Sequence, residues 1–129
     1  MAEALCANAR GLYCAEAAVR LLISHMGWLL RVDFVGEFIE TGQSVIDGTP
    51  MAFVDWSAAV TALGTGRLPC SGGEAQILRI AASIAEGVPV DLRDAVSGLD
   101  KASIVLVAQV VLHAAGHRDA GVAVAAANR

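Results

Sequence analysis

Charge is scarce in this sequence, and positive charge is the scarcer sign. Only 17% of the 129 residues are charged, and the single lysine, Lys101, accompanies eight arginines that are scattered along the chain. The net charge is −4. Non-specific nucleic-acid binding depends on clustered cations that release counterions from phosphates. This composition therefore disfavours nucleic acid as a partner.

The sequence also lacks a long apolar run. The run Ile104–Ala108 stops before Gln109 and is far below the roughly 18 residues that a membrane span needs. At the amino terminus, Glu3 stands where a secretion signal would carry positive charge, and no apolar segment of the required kind follows. We therefore expect a cytoplasmic protein that does not bind membranes.

Cysteine is both rare and odd in number. Cys6, Cys14 and Cys70 form no Cys-x-x-Cys pair, so a disulfide or zinc framework is not expected. His113 and His117 have the i,i+4 spacing of a helical metal pair, but Gly116 is predicted to end the helix between them and no nearby ligand completes a set. We expect no metal and no cofactor.

What the chain does have is an excess of apolar residues, which make up 56% of it against about 45–50% in an ordinary globular protein. Their spacing is mostly that of one helical face. The pattern predicts a mainly α, single compact domain over residues 1–118, with a frayed tail over 119–129. Five of the six aromatic residues fall between 28 and 56, which predicts an aromatic core in that part of the chain.

The boundaries of the elements follow from caps and stops. About five helices are predicted, together with one β-hairpin over 43–54 whose strands, Ser44–Ile46 and Met51–Val54, flank Asp47–Pro50. The helices at 72–86 and 101–115 are expected at the centre of the domain. The predicted helices are Leu12–His25, a short one from Asp33 to Gly42, one from Asp55 through Leu63, and those over 72–86 and 101–115.

The stretch Ser71-Gly-Gly-Glu74 matches the signature loop of ABC ATPases. That loop acts only with a phosphate-binding Gly-x-x-x-x-Gly-Lys-Ser/Thr segment, which this chain lacks. The same four residues fit a capping box, in which Ser71 and Glu74 each satisfy the backbone N–H of the other at a helix start. Helix initiation accounts for the stretch without a nucleotide.

Cys70, just before that helix, is the one candidate for a reactive thiol, because a helix N-terminus can stabilise a thiolate. A nucleophilic cysteine needs a base, and the histidines are remote in sequence. Asp91 and Asp94 resemble a carboxylate pair, but both also fit the start of a helix. We therefore expect no enzymatic activity, with catalysis at Cys70 as the weaker alternative.

The segment 91–117 has the rhythm of a helix-turn-helix: a short helix, a Gly-Leu-Asp turn and a longer helix. Base readout needs polar side chains on the second helix, and only Lys101, Ser103, Gln109 and His113 qualify. A DNA-binding regulator is the main alternative function.

The stretch LPCSGGEAQILRIAASIAEGVPVDLRDAVSGLD resembles a segment of small, uncharacterised proteins of high-GC actinobacteria. The resemblance covers roughly residues 12–117. It implies a compact single domain and carries no catalytic motif.

The surplus of apolar residues favours a protein-interaction or accessory module that self-associates, since a small domain has limited interior in which to bury them. Homodimers are the commonest arrangement. The seam predicted for this contact repeats every seven residues along the amino-terminal helix. Its members are Leu5, Leu12, Val19 and Met26.

Overall fold

The structure, a computed structural model, describes residues 1–117. Within them the chain forms seven α-helices, one 3-10 turn and a two-stranded antiparallel sheet. The predicted class, mainly α with one hairpin, is confirmed, although the number of helices was underestimated. The elements are α1 (Ala2–Ala9), α2 (Tyr13–His25), the 3-10 turn (Trp28–Leu30), α3 (Val32–Phe38), β1 (Ile39–Gln43), β2 (Pro50–Val54), α4 (Trp56–Gly64), α5 (Gly72–Glu86), α6 (Leu92–Ser97) and α7 (Lys101–Ala114).

Helix α2 lies at the centre of the domain and packs along both α5 and α7, while α1 packs on β2. The prediction that α7 would share the centre with α5 was wrong. Two alanines of α2, Ala17 and Ala18, are fully buried and allow close helix approach, whereas Val111 of α7 is half exposed. Small side chains on α2, rather than the long apolar run of α7, decide which helix is enclosed.

The aromatic core forms where it was predicted, except that Phe53 is 46% exposed. The rings of Trp28, Phe34 and Phe38 follow one another at centroid distances of 5.2 and 5.9 Å. The indole N–H of Trp28 donates to the backbone oxygen of Glu74 at 2.9 Å. This bond ties the 3-10 turn to the first residues of α5.

The predicted caps at Ser71, Asp55, Asp91 and Asp100 are confirmed, whereas the short helix predicted to begin at Asp33 has Arg31 at its N-cap. Ser71 Oγ accepts the N–H of Glu74 and the Glu74 carboxylate accepts the N–H of Ser71, both at 3.1 Å, which is a complete capping box. Asp55, Asp91 and Asp100 each accept a backbone N–H at the start of α4, α6 and α7. These local rules hold because each needs only residues within one helical turn.

The first predicted strand was misplaced. Residues Ser44–Ile46 lie in the turn, and the strand is Ile39–Gln43, which pairs with β2 from Ile39↔Val54 to Gln43↔Pro50. As a consequence α3 ends at Phe38 instead of running to Gly42. Burial decides the register, because Ile39, Ala52 and Val54 all face the core. The predicted tail over 119–129 lies outside the described residues.

Candidate functional site

A histidine and a carboxylate meet where the first turn of α2 lies beside the last turn of α7. The Nε2 atom of His113 lies 2.9 Å from Oε1 of Glu16. Both side chains are largely enclosed, with exposed fractions of 5% and 19%. Polar side chains are costly to bury unless they are paired, so this contact stabilises the packing of the two helices.

The surroundings fix the orientation of this pair. Oε2 of Glu16 accepts the backbone N–H of Gly11 at 3.0 Å, and Gly11 adopts a φ of +90° that favours glycine. The ring of Tyr13 approaches His113 edge-on, with centroids 6.3 Å apart. The Nδ1 atom of His113 is buried without a hydrogen-bond partner among the described residues.

A cavity of about 200 Å³ opens beside this pair. It is lined by residues of α1, α2 and α7 and by Arg10, which follows α1 directly. Its chemically active lining consists of Glu16 and His113 with the guanidinium groups of Arg10 and Arg20 and the thiol of Cys6. An i,i+4 pair between Glu16 and Arg20 would be ordinary on a helix. Here neither arginine forms an ion pair within residues 1–117.

The hairpin turn, residues Ser44–Thr49, presents the most exposed apolar side chains of the described chain. Val45 and Ile46 have relative exposures of 102% and 92%. The turn around them is ordered by its own hydrogen bonds: Ser44 N–H donates to Thr49 O and Gly48 N–H to Ser44 O, both at 2.9 Å. Asp47 Oδ1 accepts from the hydroxyl of Thr49 at 2.7 Å. The two apolar side chains are thus held out in solvent by a well-bonded backbone.

An open groove of about 550 Å³ begins directly after this turn and runs along α1. Alanines of α1, Ile23 and Pro50 make its surface mostly apolar, and Glu3 and Arg10 supply its charges. Because Thr49 and Pro50 border the groove, the hairpin turn and the groove adjoin each other. A protruding apolar turn therefore lies next to an apolar groove in the same chain.

The predicted self-association residues do not share one exposed face. Leu5 and Val19 are buried in the core, whereas Leu12 and Met26 are exposed by 64% and 57%. The seven-residue spacing assumed one continuous helix, but the chain breaks between α1 and α2 at Arg10–Leu12. Self-association itself stays a prediction, but these four residues cannot form one contact surface.

The candidate reactive thiol, Cys70, is exposed. Partial burial and then the nearby Glu74 carboxylate raise the pKa of this thiol above its ordinary value, against the opposing effect of Arg31 and Arg79. A raised pKa leaves less thiolate at neutral pH, so its environment does not favour nucleophilic chemistry. The Ser71–Glu74 stretch beside it serves as a helix cap.

The helix-turn-helix-like segment forms α6 and α7 as two helices joined by Gly98–Asp100. On α7, Ser103 and His113 are buried, which removes two of the four side chains that were considered for base contacts. His117 lies beyond the end of α7, after Gly116 with its φ of +86°. In residues 1–117 no three His, Cys, Asp or Glu side chains are grouped so that they could hold a metal ion.

Sequence reasoning missed the Glu16–His113 pair and its cavity. The two residues are 97 positions apart, and neither belongs to a recognisable motif. The only signal was the isolation of a histidine in the apolar α7 segment, which indicates a buried partner without identifying it.

The chain matches no family model, and no curated protein and no solved structure is detectably similar to it. Among the described helices, none has the length and apolar character needed to cross a membrane.

Proposed function

We propose that this protein is a self-associating interaction module in which two copies exchange their hairpin turns. Val45 and Ile46 of each copy insert into the groove along α1 of the other. The observation that carries this proposal is that a fully exposed apolar turn adjoins an apolar groove in the same chain. Such self-complementary surfaces are what a twofold dimer requires.

The order of the turn supports the proposal. A flexible apolar loop would lose conformational entropy on docking, whereas the hydrogen bonds between Ser44 and Thr49 already hold this one. Asp47 at the turn is anionic at neutral pH, and hydrogen bonds from the side chain and then the backbone of Thr49 lower its pKa further. Arg10, a groove residue, has no ion-pair partner in residues 1–117 and is a matching cation.

The free energy gained by burying Val45 and Ile46 predicts a weak dimer. Burying an exposed Val or Ile side chain contributes about 1.5–3 kcal/mol, so the four side chains of a reciprocal dimer contribute about 6–12 kcal/mol. Association costs about 4–15 kcal/mol in lost freedom of motion. The balance predicts a dissociation constant in the micromolar range or weaker, which suits a reversible module.

The first prediction concerns oligomeric state. Val45→Ser with Ile46→Ser should leave the fold unchanged, because both side chains are fully exposed, and should abolish concentration-dependent dimerisation. Sedimentation velocity over a micromolar concentration series measures this effect. Leu30→Ser with Val32→Ser is the matched control, since it removes two apolar side chains of similar exposure, 74% and 87%, from another surface.

Two outcomes would contradict this interface. A wild-type chain that remains monomeric throughout the series removes self-association altogether. A dimer that persists after the Val45 and Ile46 changes but is lost in Leu12→Glu would instead place the contact at Leu12 and Met26, the exposed residues of the predicted seam. Val19→Glu is unsuitable for this purpose because Val19 is buried.

Cross-linking tests the reciprocal geometry directly. Cys6 lines the groove and is exposed, so Ile46→Cys should form an intermolecular disulfide with Cys6 of a second copy under mild oxidation. Non-reducing electrophoresis distinguishes a linked dimer from an intramolecular link, and tryptic mapping identifies the linked cysteines, since Cys6, Cys14 and Cys70 fall in different tryptic peptides. Leu30→Cys is the control and should give no link to Cys6.

A further inference from the structure

Two arginines from different helices face the cavity beside His113 without ion-pair partners. Arg10 follows the end of α1, and Arg20 lies in the middle of α2. Both line the cavity, and neither forms an ion pair in the part of the chain that the structure describes. Only the tertiary structure brings these two cations to one place.

The carboxylate in the cavity does not neutralise them. One oxygen of Glu16 is engaged with His113 at 2.9 Å, and the other accepts the N–H of Gly11 at 3.0 Å. Both carboxylate oxygens of Glu16 are thus engaged by other groups, and Glu16 forms no ion pair with Arg20, its neighbour at i+4. Among the described lining residues, two guanidinium groups stand against one carboxylate, which favours an anion.

From this arrangement we infer that the cavity binds a small oxyanion, either a phosphate or a small carboxylate, between Arg10 and Arg20. The planar guanidinium group donates hydrogen bonds to both kinds of oxyanion in a geometry that matches their oxygens. The cavity of about 200 Å³ has room for several water molecules. That size fits an inorganic ion or a short acid.

Cys6 provides a built-in reporter, because its thiol lines the same cavity. Alkylation by anionic iodoacetate should be accelerated there relative to neutral iodoacetamide, since the cavity attracts the anion. The rates at Cys6, Cys14 and Cys70 are followed separately by mass spectrometry of their tryptic peptides. Arg20→Gln should lower the iodoacetate-to-iodoacetamide rate ratio at Cys6 several-fold and leave the ratio at Cys70 unchanged.

Competition then identifies the ligand class. Inorganic phosphate or succinate should slow the alkylation of Cys6 saturably when the ionic strength is held constant with chloride. The anion that protects Cys6 identifies the class of ligand. Arg93→Gln is the matched control, because Arg93 is an exposed arginine on α6, away from the cavity. Circular dichroism checks that Arg20→Gln is folded.

The same measurements are made on the variant with Val45→Ser and Ile46→Ser, because Cys6 and Arg10 also line the groove proposed for dimerisation, where Arg10 would face Asp47 of the second copy. Protection that persists in this variant belongs to the cavity and is independent of self-association. The inference is overturned if neither anion protects Cys6, or if Arg20→Gln and Arg93→Gln give the same rate ratio and the same protection as the unaltered chain.

Discussion

Met26 ends α2 in a left-handed conformation, with φ at +65°, and its N–H donates to Leu22 O at 3.2 Å. Gly27, which was predicted to end the helix, instead has a φ of −55°. A Cβ atom at Gly27 would lie 3.2 Å from Glu74 Oε2, so glycine at this position avoids crowding the carboxylate of the α5 cap. The left-handed conformation at the end of α2 is adopted by Met26 instead of by this glycine.

This strain leads to a prediction at Met26. Met26→Gly should raise the free energy of unfolding by about 0.5–1 kcal/mol, because a left-handed conformation costs a non-glycine residue about 1–2 kcal/mol and glycine adds some entropy to the unfolded chain. Met26 is 57% exposed, so little packing is lost. Urea unfolding measures the change.

Met26→Ala is the control for that prediction. It retains the Cβ atom and with it the strain, so it should not stabilise the protein. Equal stabilisation by alanine and glycine would show that removal of the exposed methionine side chain, rather than its backbone conformation, is responsible.

Glu16 shows how a residue's partner depends on the tertiary structure. Its spacing from Arg20 predicts a helical ion pair, yet its carboxylate contacts His113 on α7. A surface ion pair is worth little in water, whereas a buried histidine requires a polar partner. Glu16 therefore pairs with the buried histidine instead of with Arg20.

At the scale of elements, the capping box of α5 is the clearest case of a local pattern that determines structure. Ser71→Ala should lower the free energy of unfolding by about 1 kcal/mol, because the N–H of Glu74 loses its acceptor. Chemical denaturation measures the loss. Ser57→Ala is the matched control: Ser57 is exposed near the start of α4, where Asp55 supplies the cap.

The interpretation of Ser71 as a cap also predicts that calorimetric titration of the wild-type protein with ATP and magnesium detects no binding. Micromolar binding that is lost in Ser71→Ala would revive the nucleotide hypothesis. A free energy of unfolding that is unchanged by Ser71→Ala would contradict the importance of the cap.

The hairpin shows why a local pattern can fail. Val45 and Ile46 have high strand propensity, but propensity reports how well a side chain fits a half-buried surface, and these two are exposed. The turn instead follows its polar residues, since Ser44, Asp47 and Gly48 supply the hydrogen bonds and the positive φ that it needs.

At the scale of the whole molecule, acid should destabilise the fold through its caps. The backbone N–H of Ser71 lowers the pKa of Glu74, and that of Ser103 lowers the pKa of Asp100. A carboxylate whose pKa is lowered by folding stabilises the fold when the pH is above its ordinary pKa, which is 4.5 for Glu74 and 3.8 for Asp100. This stability is lost as the pH falls through the lower pKa of the folded state.

The corresponding experiment compares the wild type with a Glu74→Gln, Asp100→Asn variant. Both replacements keep a hydrogen-bond acceptor but do not titrate, so the variant should lose less unfolding free energy between neutral pH and a pH below 3.8. Urea denaturation at the two pH values gives the difference. Equal losses in both proteins would assign the acid sensitivity to other carboxylates.

The sequence by itself determined the helical class, the aromatic core between 28 and 56, and the starts of α4, α5, α6 and α7, because caps and hydrophobic spacing act within one or two helical turns. Only the tertiary structure decided that α2 lies at the centre, that Glu16 meets His113, and that Arg10 and Arg20 line one cavity. It likewise divided the predicted seam into buried Leu5 and Val19 and exposed Leu12 and Met26. These features depend on contacts between residues far apart in the chain, and such contacts are selected by the packing of whole helices, which no local spacing encodes.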